Sequence, residues 1–135
     1  AAIYIVKNGD AIEKVILPVH GYGLWSTLYG FIALQGDMDT VVGLGFYSHA
    51  ETPGLGGEVD NPKWKSLWVG KELYDDQGDV AIKVVKGGAE AGNPYQVDGL
   101  SGATLTSRGV NNLVRFWVGD RGFGNLLTKL KEQGA

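Results

Sequence analysis

Apolar and polar positions along the first fifty residues follow the short period of β-strands. β-Branched runs at Ile3–Val6 and Ile12–Val19 are separated by Asn8-Gly9, a dipeptide typical of tight hairpin turns. Two further runs, Tyr29–Leu34 and Thr40–Tyr47, are joined by a polar, glycine-containing turn. The pattern therefore predicts two successive antiparallel hairpins.

The last third of the chain changes to the period of an α-helix. An apolar stripe with the spacing i, i+3, i+4, i+7, i+8 is formed by Val110, Leu113, Val114, Trp117 and Val118. This stripe predicts an amphipathic helix over Thr106–Val118, and a second stripe over Phe123–Leu130 predicts a C-terminal helix. Because strands come first and helices last, we predict an α+β fold, a mainly antiparallel twisted sheet with helices packed against it.

The middle of the chain carries weaker signals. A short helix is expected over Asn61–Leu67, with its first residue as the N-cap and Pro62 in the first turn. The runs Leu73–Tyr74 and Val80–Val85 flank the polar segment Asp75–Asp79. These segments predict one more hairpin, with the acidic residues at its tip.

Length and composition are those of one folded domain, residues 1–135. Hydrophobic residues make up 44% and charged residues 20% of the chain, and 22 of the 135 residues are glycine, which indicates many tight turns. The net charge of −3 without a basic cluster argues against nucleic acid as a partner. No apolar run has the length of a membrane span. Since the sequence opens Ala1-Ala2-Ile3 without methionine, we expect it to be a fragment of a longer protein.

The segment Asp98–Ser107 is the strongest candidate for a ligand site. It is rich in hydroxyls and small residues and leads directly into the predicted helix, whose unpaired N–H groups and dipole favour a phosphate. Gly102 and Ala103 leave room for a bulky group close to the backbone. A simpler interpretation is a loop that only caps a core helix. The candidate N-cap residues are then Ser101, Thr104 and Thr106.

Other chemistry is poorly supported. The segment Gly21–Ser26 has two of the three glycines of a dinucleotide-binding loop but lacks the βαβ setting. His20 and His49 are the only histidines and cysteine is absent, so we expect no transition-metal site. Asp75–Asp79 lacks the spacing of a calcium loop. Glu51 is a candidate buried acid, although a glutamate in a loop is more often exposed.

Two motifs together resemble those of the covalent FMN-binding domain family. The first is Ser101-Gly-Ala-Thr104, preceded by Asp98-Gly99, and the second is the loop His49-Ala-Glu-Thr-Pro-Gly-Leu-Gly56. The segments Gly21–Trp25 and Tyr74–Asp79 also fit. The resemblance implies that a dedicated flavin transferase joins the phosphate of FMN to Thr104 through a phosphoester. It also implies that the domain holds the flavin without a catalytic residue of its own.

The same resemblance implies a set of residues around the flavin. Beside the attachment residue Thr104, the expected cofactor-binding residues are Ser101, Gly102, Ala103, Leu105, Thr106, Glu51, Thr52, Leu55, Gly56, Gly23, Trp25 and Lys86. Lys86 is a candidate for the phosphate or a ring oxygen. Asp98 either serves recognition by the transferase or only sets the turn.

The function implied by the resemblance is electron transfer within a membrane-bound, sodium-pumping NADH:quinone oxidoreductase. Its other membrane subunits would be the partners, and an N-terminal membrane helix outside this sequence would hold the domain on the periplasmic side of a bacterial inner membrane. The nearest alternative is the flavoprotein subunit of the related complex that couples ferredoxin to NAD. A module that binds a ligand without redox function is the alternative of another class. An enzyme acting on free flavin is a weaker hypothesis, because the acid–base and metal residues that it needs are not evident.

Overall fold

A four-stranded antiparallel sheet forms the first part of the computed structural model, which describes residues 2–134. The strands are β1 (Tyr4–Asn8), β2 (Ala11–Tyr22), β3 (Thr27–Gln35) and β4 (Val41–Ser48). They lie side by side in chain order, so both predicted hairpins are confirmed. Gly9, which follows the first strand, has the positive φ of 65° that the tight turn requires.

The hairpin between β2 and β3 is longer than the sequence pattern predicted. We expected β2 to end at Val19, but it continues for three residues and Tyr22 still pairs with Thr27. The N–H of Gly23 then donates to the carbonyl of Ser26 at 2.9 Å, which leaves Leu24 and Trp25 as the two-residue tip. Gly21 and Gly23 are therefore part of a continuous hairpin.

The middle of the chain departs further from the prediction. The short helix α1 (Pro62–Ser66) is confirmed, and Asn61 caps it by accepting from the N–H of Lys63 at 2.9 Å. The predicted hairpin around the acidic turn is confirmed only as a minimal one: an antiparallel bridge joins Tyr74 and Val80, and the N–H of Ala81 donates to the carbonyl of Leu73 at 2.8 Å, but no full strand forms on either side of the turn.

Two short strands follow that bridge, of which the first lies inside the predicted run Val80–Val85 and the second was not predicted. β5 (Lys83–Val85) pairs in parallel with β6 (Gln96–Asp98). The N–H of Gly99 continues the pairing by donating to the carbonyl of Val85 at 2.8 Å. This small parallel pair carries the chain into the candidate ligand segment.

Two helices complete the fold, α2 (Thr104–Val118) and α3 (Gly124–Gly134). The apolar face of α2 packs against β2 so closely that glycine is needed at the contact. A β-carbon on Gly21 would lie 2.5 Å from that of Leu113, and one on Gly109 would lie 2.1 Å from the carbonyl oxygen of Tyr22. Helix and sheet enclose one core, which confirms the α+β class.

None of the helices among residues 2–134 has the length and apolar character needed to cross a membrane.

Candidate functional site

A buried carboxylate connects three segments that are distant in sequence. Oε1 of Glu51 accepts from the N–H of Leu24 at 2.7 Å and from the hydroxyl of Thr106 at 2.8 Å. Oε2 accepts from the N–H of Trp25 at 3.0 Å and from the hydroxyl of Ser26 at 2.7 Å. The tip of the β2–β3 hairpin, the loop after β4 and the first turn of α2 therefore meet at one side chain.

The protonation state of Glu51 follows from these bonds. Its residue is 5% exposed, and this burial by itself raises the pKa of the carboxyl group. The hydrogen bonds from Ser26, Leu24, Thr106 and Trp25 outweigh the burial and lower the pKa from 4.5 to about 2. Glu51 is therefore an anion at neutral pH, and our expectation that a loop glutamate is exposed was wrong here.

Helix α2 begins two residues earlier than the apolar stripe predicted, at Thr104. Its N-cap is Ala103, which has no side-chain acceptor, so none of the three hydroxyl residues proposed as caps fills that position. The first hydrogen bond of the helical pattern is the one that the N–H of Ser107 donates to the carbonyl of Ala103 at 3.0 Å. The hydroxyl of Ser107 accepts from the N–H of Leu100 at 2.8 Å and holds the preceding turn. Thr104 itself is exposed.

Asp98 anchors the segment before the turn. Its side-chain Oδ1 accepts from the N–H of Ala89, and its carbonyl accepts from the indole N–H of Trp64 at 2.8 Å. The side chain therefore fixes the glycine-rich loop after β5 to the end of β6. This contact supports a structural role for Asp98 that neither of the two expectations from the sequence had included.

Exposed apolar side chains surround the start of α2. Leu55 is 47% exposed, Leu105 is 50% exposed and Trp25, on the hairpin tip, is 69% exposed. A β-carbon on Gly102, whose φ is +70°, would lie 3.4 Å from Cδ2 of Leu55, so the His49–Gly56 loop reaches the turn. Large apolar groups left in solvent around one point are typical of a ligand site.

Gly23 and Gly56, two of the predicted cofactor-binding residues, lie where the hairpin tip, the loop after β4 and the first turn of α2 touch. A β-carbon on Gly23 would lie 2.5 Å from Oε1 of Glu51, and one on Gly56 would lie 2.5 Å from Oγ1 of Thr106. Both glycines are therefore needed for the packing of the loops, whatever the ligand is.

Three further predicted residues are Thr52, Ser101 and Lys86. The carbonyl of Thr52 accepts from the N–H of Leu55 at 3.0 Å and closes the loop after β4, and Ser101 is exposed in the turn. Lys86 is exposed directly after β5, next to the residue whose carbonyl pairs with Gly99. The structure thus brings together the predicted residues of the hairpin tip, the loop after β4 and the start of α2.

The two histidines lie in different environments. The ring of His20 stacks on Tyr29, at 5.8 Å between centroids. Nε2 of His49 contacts Oδ2 of Asp60 at 2.6 Å, while Nδ1 accepts from the N–H of Glu51 at 3.1 Å. His49 therefore supports the loop that carries the carboxylate. Within the described part of the chain no three His, Cys, Asp or Glu residues are grouped so as to hold a metal ion.

Two polar residues of the site were missed at the level of sequence. Ser26 donates to Glu51 and accepts from the N–H of Ala50 at 2.9 Å, and Trp64 holds the carbonyl of Asp98. Ser26 stood in a segment that we compared only with dinucleotide-binding loops. In the sequence, Ser26 could be noticed only as a hydroxyl residue at the end of a glycine-rich turn. The spacing between Ser26 and Glu51 does not show that the two side chains meet.

Comparison with known proteins matches residues 23–119 to the FMN-binding domain. The C subunit of the Na(+)-translocating NADH-quinone reductase of Pseudomonas aeruginosa is 60% identical over an alignment of 133 residues, which covers 96% of this chain and 51% of the relative. The same protein of Vibrio parahaemolyticus is 58% identical, over 98% of this chain and 51% of the relative. The chain spans about half the length of these curated relatives.

Solved structures agree with these matches. The crystal structure of Shewanella oneidensis NqrC has a TM-score of 0.89 at 43% identity, over 96% of this chain and 60% of that one. The structure of the C subunit of the Na(+)-translocating NADH-quinone reductase from Parabacteroides distasonis has a TM-score of 0.80 at 34% identity, over 93% and 62% of the two chains. Since the FMN-binding match spans most of the sequence and covers every segment around the start of α2, this chain belongs to the FMN-binding domain family.

Proposed function

We propose that the chain carries FMN as a phosphoester on the side-chain oxygen of Thr104. The observation that supports this most directly is the position of that residue. Thr104 is exposed at the first position of a 15-residue helix whose N-terminus lacks a side-chain cap, inside the segment matched to the FMN-binding domain.

The helix start suits the phosphate. The N–H groups of the first turn have no acceptor further back in the helix, and the helix dipole adds partial positive charge there. No acidic residue lies in that turn. The dipole contribution to holding an anion at such a place is about 0.3–1 kcal/mol. We propose Lys86, an exposed cation directly after β5, as a further partner of the phosphate or of a ring oxygen.

The apolar residues suit the ring system. Leu55 and Leu105 are about half exposed and flank the turn, and the indole of Trp25 is exposed on the hairpin tip. Burying these side chains against a flat aromatic ring would remove apolar surface from water. The positive φ of Gly102 and the small side chain of Ala103 leave the backbone accessible. When bound, FMN supplies the redox chemistry, and the residues of this chain hold and orient it.

Attachment needs a partner enzyme and an activated flavin. Free FMN and a hydroxyl would have to release water, so the donor must carry FMN in an anhydride, as a flavin dinucleotide does. The bond between Oγ of Thr104 and phosphorus then forms, the phosphoanhydride bond breaks, and a nucleoside monophosphate leaves. The hydroxyl proton passes to a base of the transferase. This chain contributes the exposed oxygen and requires no general base of its own.

For the protein as a whole we propose electron transfer in a membrane-bound Na+-translocating NADH:quinone oxidoreductase. The support is the name shared by the curated relatives and the solved neighbours. Other subunits of that complex would be the redox partners, and a flavin transferase would act during maturation. We further propose that a membrane helix outside this sequence anchors the domain on the periplasmic side of the inner membrane.

The attachment is tested by producing the chain with and without a flavin transferase and precipitating it with trichloroacetic acid. We expect yellow colour in the precipitate only with the transferase, and none from Thr104→Ala. Thr128→Ala, an exposed threonine of α3, is the matched control and should remain yellow. Loss of colour from the wild-type precipitate, or its persistence in Thr104→Ala, would rule out the proposed ester.

A further inference from the structure

We propose that Glu51 is a positioning residue that holds the first turn of α2 at a fixed place relative to the loops around it, and that it does not itself bind FMN. This inference rests on the proposed attachment to Thr104. It gives a function to a buried charge that the redox chemistry of the flavin does not require.

The geometry leaves no free oxygen on Glu51. Four donors, two on each carboxylate oxygen, lie within 3.0 Å, and they come from the hairpin tip and from α2. An FMN ligand would need an accessible atom, but this residue is almost completely buried. A carboxylate facing the flavin phosphate would also repel it. The carboxylate therefore acts on the protein around it.

The bond to Thr106 is the one that bears on attachment. Thr106 is 1% exposed and lies two residues after Thr104, in the same helical turn. Its hydroxyl hydrogen is directed to Glu51, so the turn cannot rotate or slide without breaking a charge-assisted bond. The other three donors tie the same carboxylate to the hairpin tip, which carries Trp25. Attachment residue and hairpin tip are thereby set at a fixed separation.

Replacement by glutamine has a defined effect. The amide of Glu51→Gln keeps one acceptor oxygen and presents an NH2 group where the second oxygen accepted. If that group faces the hairpin tip, the hydroxyl of Ser26 can turn to accept from it, but the N–H of Trp25 is a donor only and loses its acceptor. A buried donor without a partner is unfavourable, so the segments separate.

The test measures flavin attachment and local structure in the same variants. Attachment is followed as the initial rate of FMN transfer to the purified chain by a flavin transferase. Local structure is followed by amide hydrogen exchange at Leu24 and Trp25, whose N–H groups both bond to Glu51. We expect Glu51→Gln to slow transfer at least about tenfold and to lower protection at these amides, because small displacements near a reacting atom have large effects on rate. Glu72→Gln, a half-buried glutamate outside this network, should change neither.

A second pair of variants separates positioning from general destabilisation. Thr106→Val removes the hydroxyl and should slow transfer as much as Glu51→Gln, while Thr106→Ser retains the hydroxyl and should restore the rate to within about threefold of wild type. The double variant should be no slower than either single one, since each change by itself disconnects α2 from the hairpin tip. A rate near wild type in Glu51→Gln with exchange protection lost would overturn the inference, as would additive effects in the double variant. If the wild-type chain accepts no FMN, the proposed attachment fails, and the exchange result separately shows whether the network exists.

Discussion

Thr106 donates its hydroxyl hydrogen to Oε1 of Glu51 at 2.8 Å, across 55 positions of sequence. This single bond joins the helix that begins at Thr104 to the loop that contains Leu55. The two motifs that suggested a flavin site are thus one structural unit. The contributions of its charge, its glycines and its exposed apolar residues can each be tested by a separate substitution.

Because Glu51 is ionised in the folded chain, we expect its contribution to the free energy of unfolding to be lost at acidic pH. The pKa in the folded chain is about 2 against an ordinary value of 4.5, so the contribution is complete above 4.5 and is lost as the pH falls through 2. We expect the free energy of unfolding to exceed that of Glu51→Gln by about 2 kcal/mol at neutral pH. In urea titrations the difference should shrink between about pH 5 and about pH 2. A difference independent of pH would contradict the assignment of the anion.

At Gly109 we expect alanine to destabilise the protein, which is the opposite of its usual effect in a helix. Alanine in the interior of a helix is normally more stable than glycine by about 1 kcal/mol. Here the added carbon would lie 2.1 Å from the carbonyl oxygen of Tyr22, which is backbone and cannot turn aside. We expect Gly109→Ala to lower the free energy of unfolding by about 1–3 kcal/mol in urea.

The matched control for that change is Gly43→Ala in β4. A β-carbon at Gly43 has nothing within 4 Å and φ there is not positive. The control should be neutral or stabilise by about 0.5–1 kcal/mol. Equal effects of the two substitutions would show that the close approach of α2 to β2 is not a determinant of stability.

Much of the fold followed from two periods in the sequence. The alternation in β1–β4 and the 3.6-residue stripe in α2 each extend over enough residues to be distinctive. β5 lies inside the predicted run Val80–Val85, but β6 has only three residues, which is too short for a periodic signal, and the two strands pair in parallel across an intervening loop. Their partners are set by tertiary packing, so local pattern could not predict them.

The site was predictable as a list of segments but not as a network. Small residues and hydroxyls near a helix start indicated a phosphate position, and the family resemblance indicated Thr104. The start of α2 was missed because Ala103 supplies no capping side chain. The burial of Glu51 depends on donors from Leu24, Ser26 and Thr106, which only the folded chain brings together. Long-range hydrogen bonds of this kind leave no spacing rule in a sequence.

Asp98 predicts a difference between two substitutions. Asparagine retains the oxygen that accepts from Ala89, whereas alanine removes a bond of about 1 kcal/mol and releases the loop after β5. We expect Asp98→Asn to retain most of its flavin loading by intact mass. Asp98→Ala should load less and be cut faster by proteases between Lys86 and Gly92. Equal loss in both variants would show instead that the transferase recognises the charge.

Replacing Leu105 is expected to change the solvent accessibility of the flavin without changing the stability of the fold. Since its side chain is half exposed, Leu105→Ser should change the free energy of unfolding by less than about 0.5 kcal/mol. If the leucine covers the attached ring, its loss should make flavin fluorescence more sensitive to quenching by iodide. Val69→Ser, at a 58% exposed residue after α1, is the control and should leave quenching unchanged. Unchanged quenching in Leu105→Ser would place the ring elsewhere.

One hydroxyl among several neighbours, that of Thr104, is the one that we expect to carry the flavin. This expectation is tested most directly by digesting the transferase-treated chain and sequencing the peptide that spans Asp98–Arg108 by tandem mass spectrometry. We predict the mass of esterified FMN on Thr104 and on no other residue of that peptide. An unmodified peptide, or a modification on Ser101, Thr106 or Ser107, would contradict this claim.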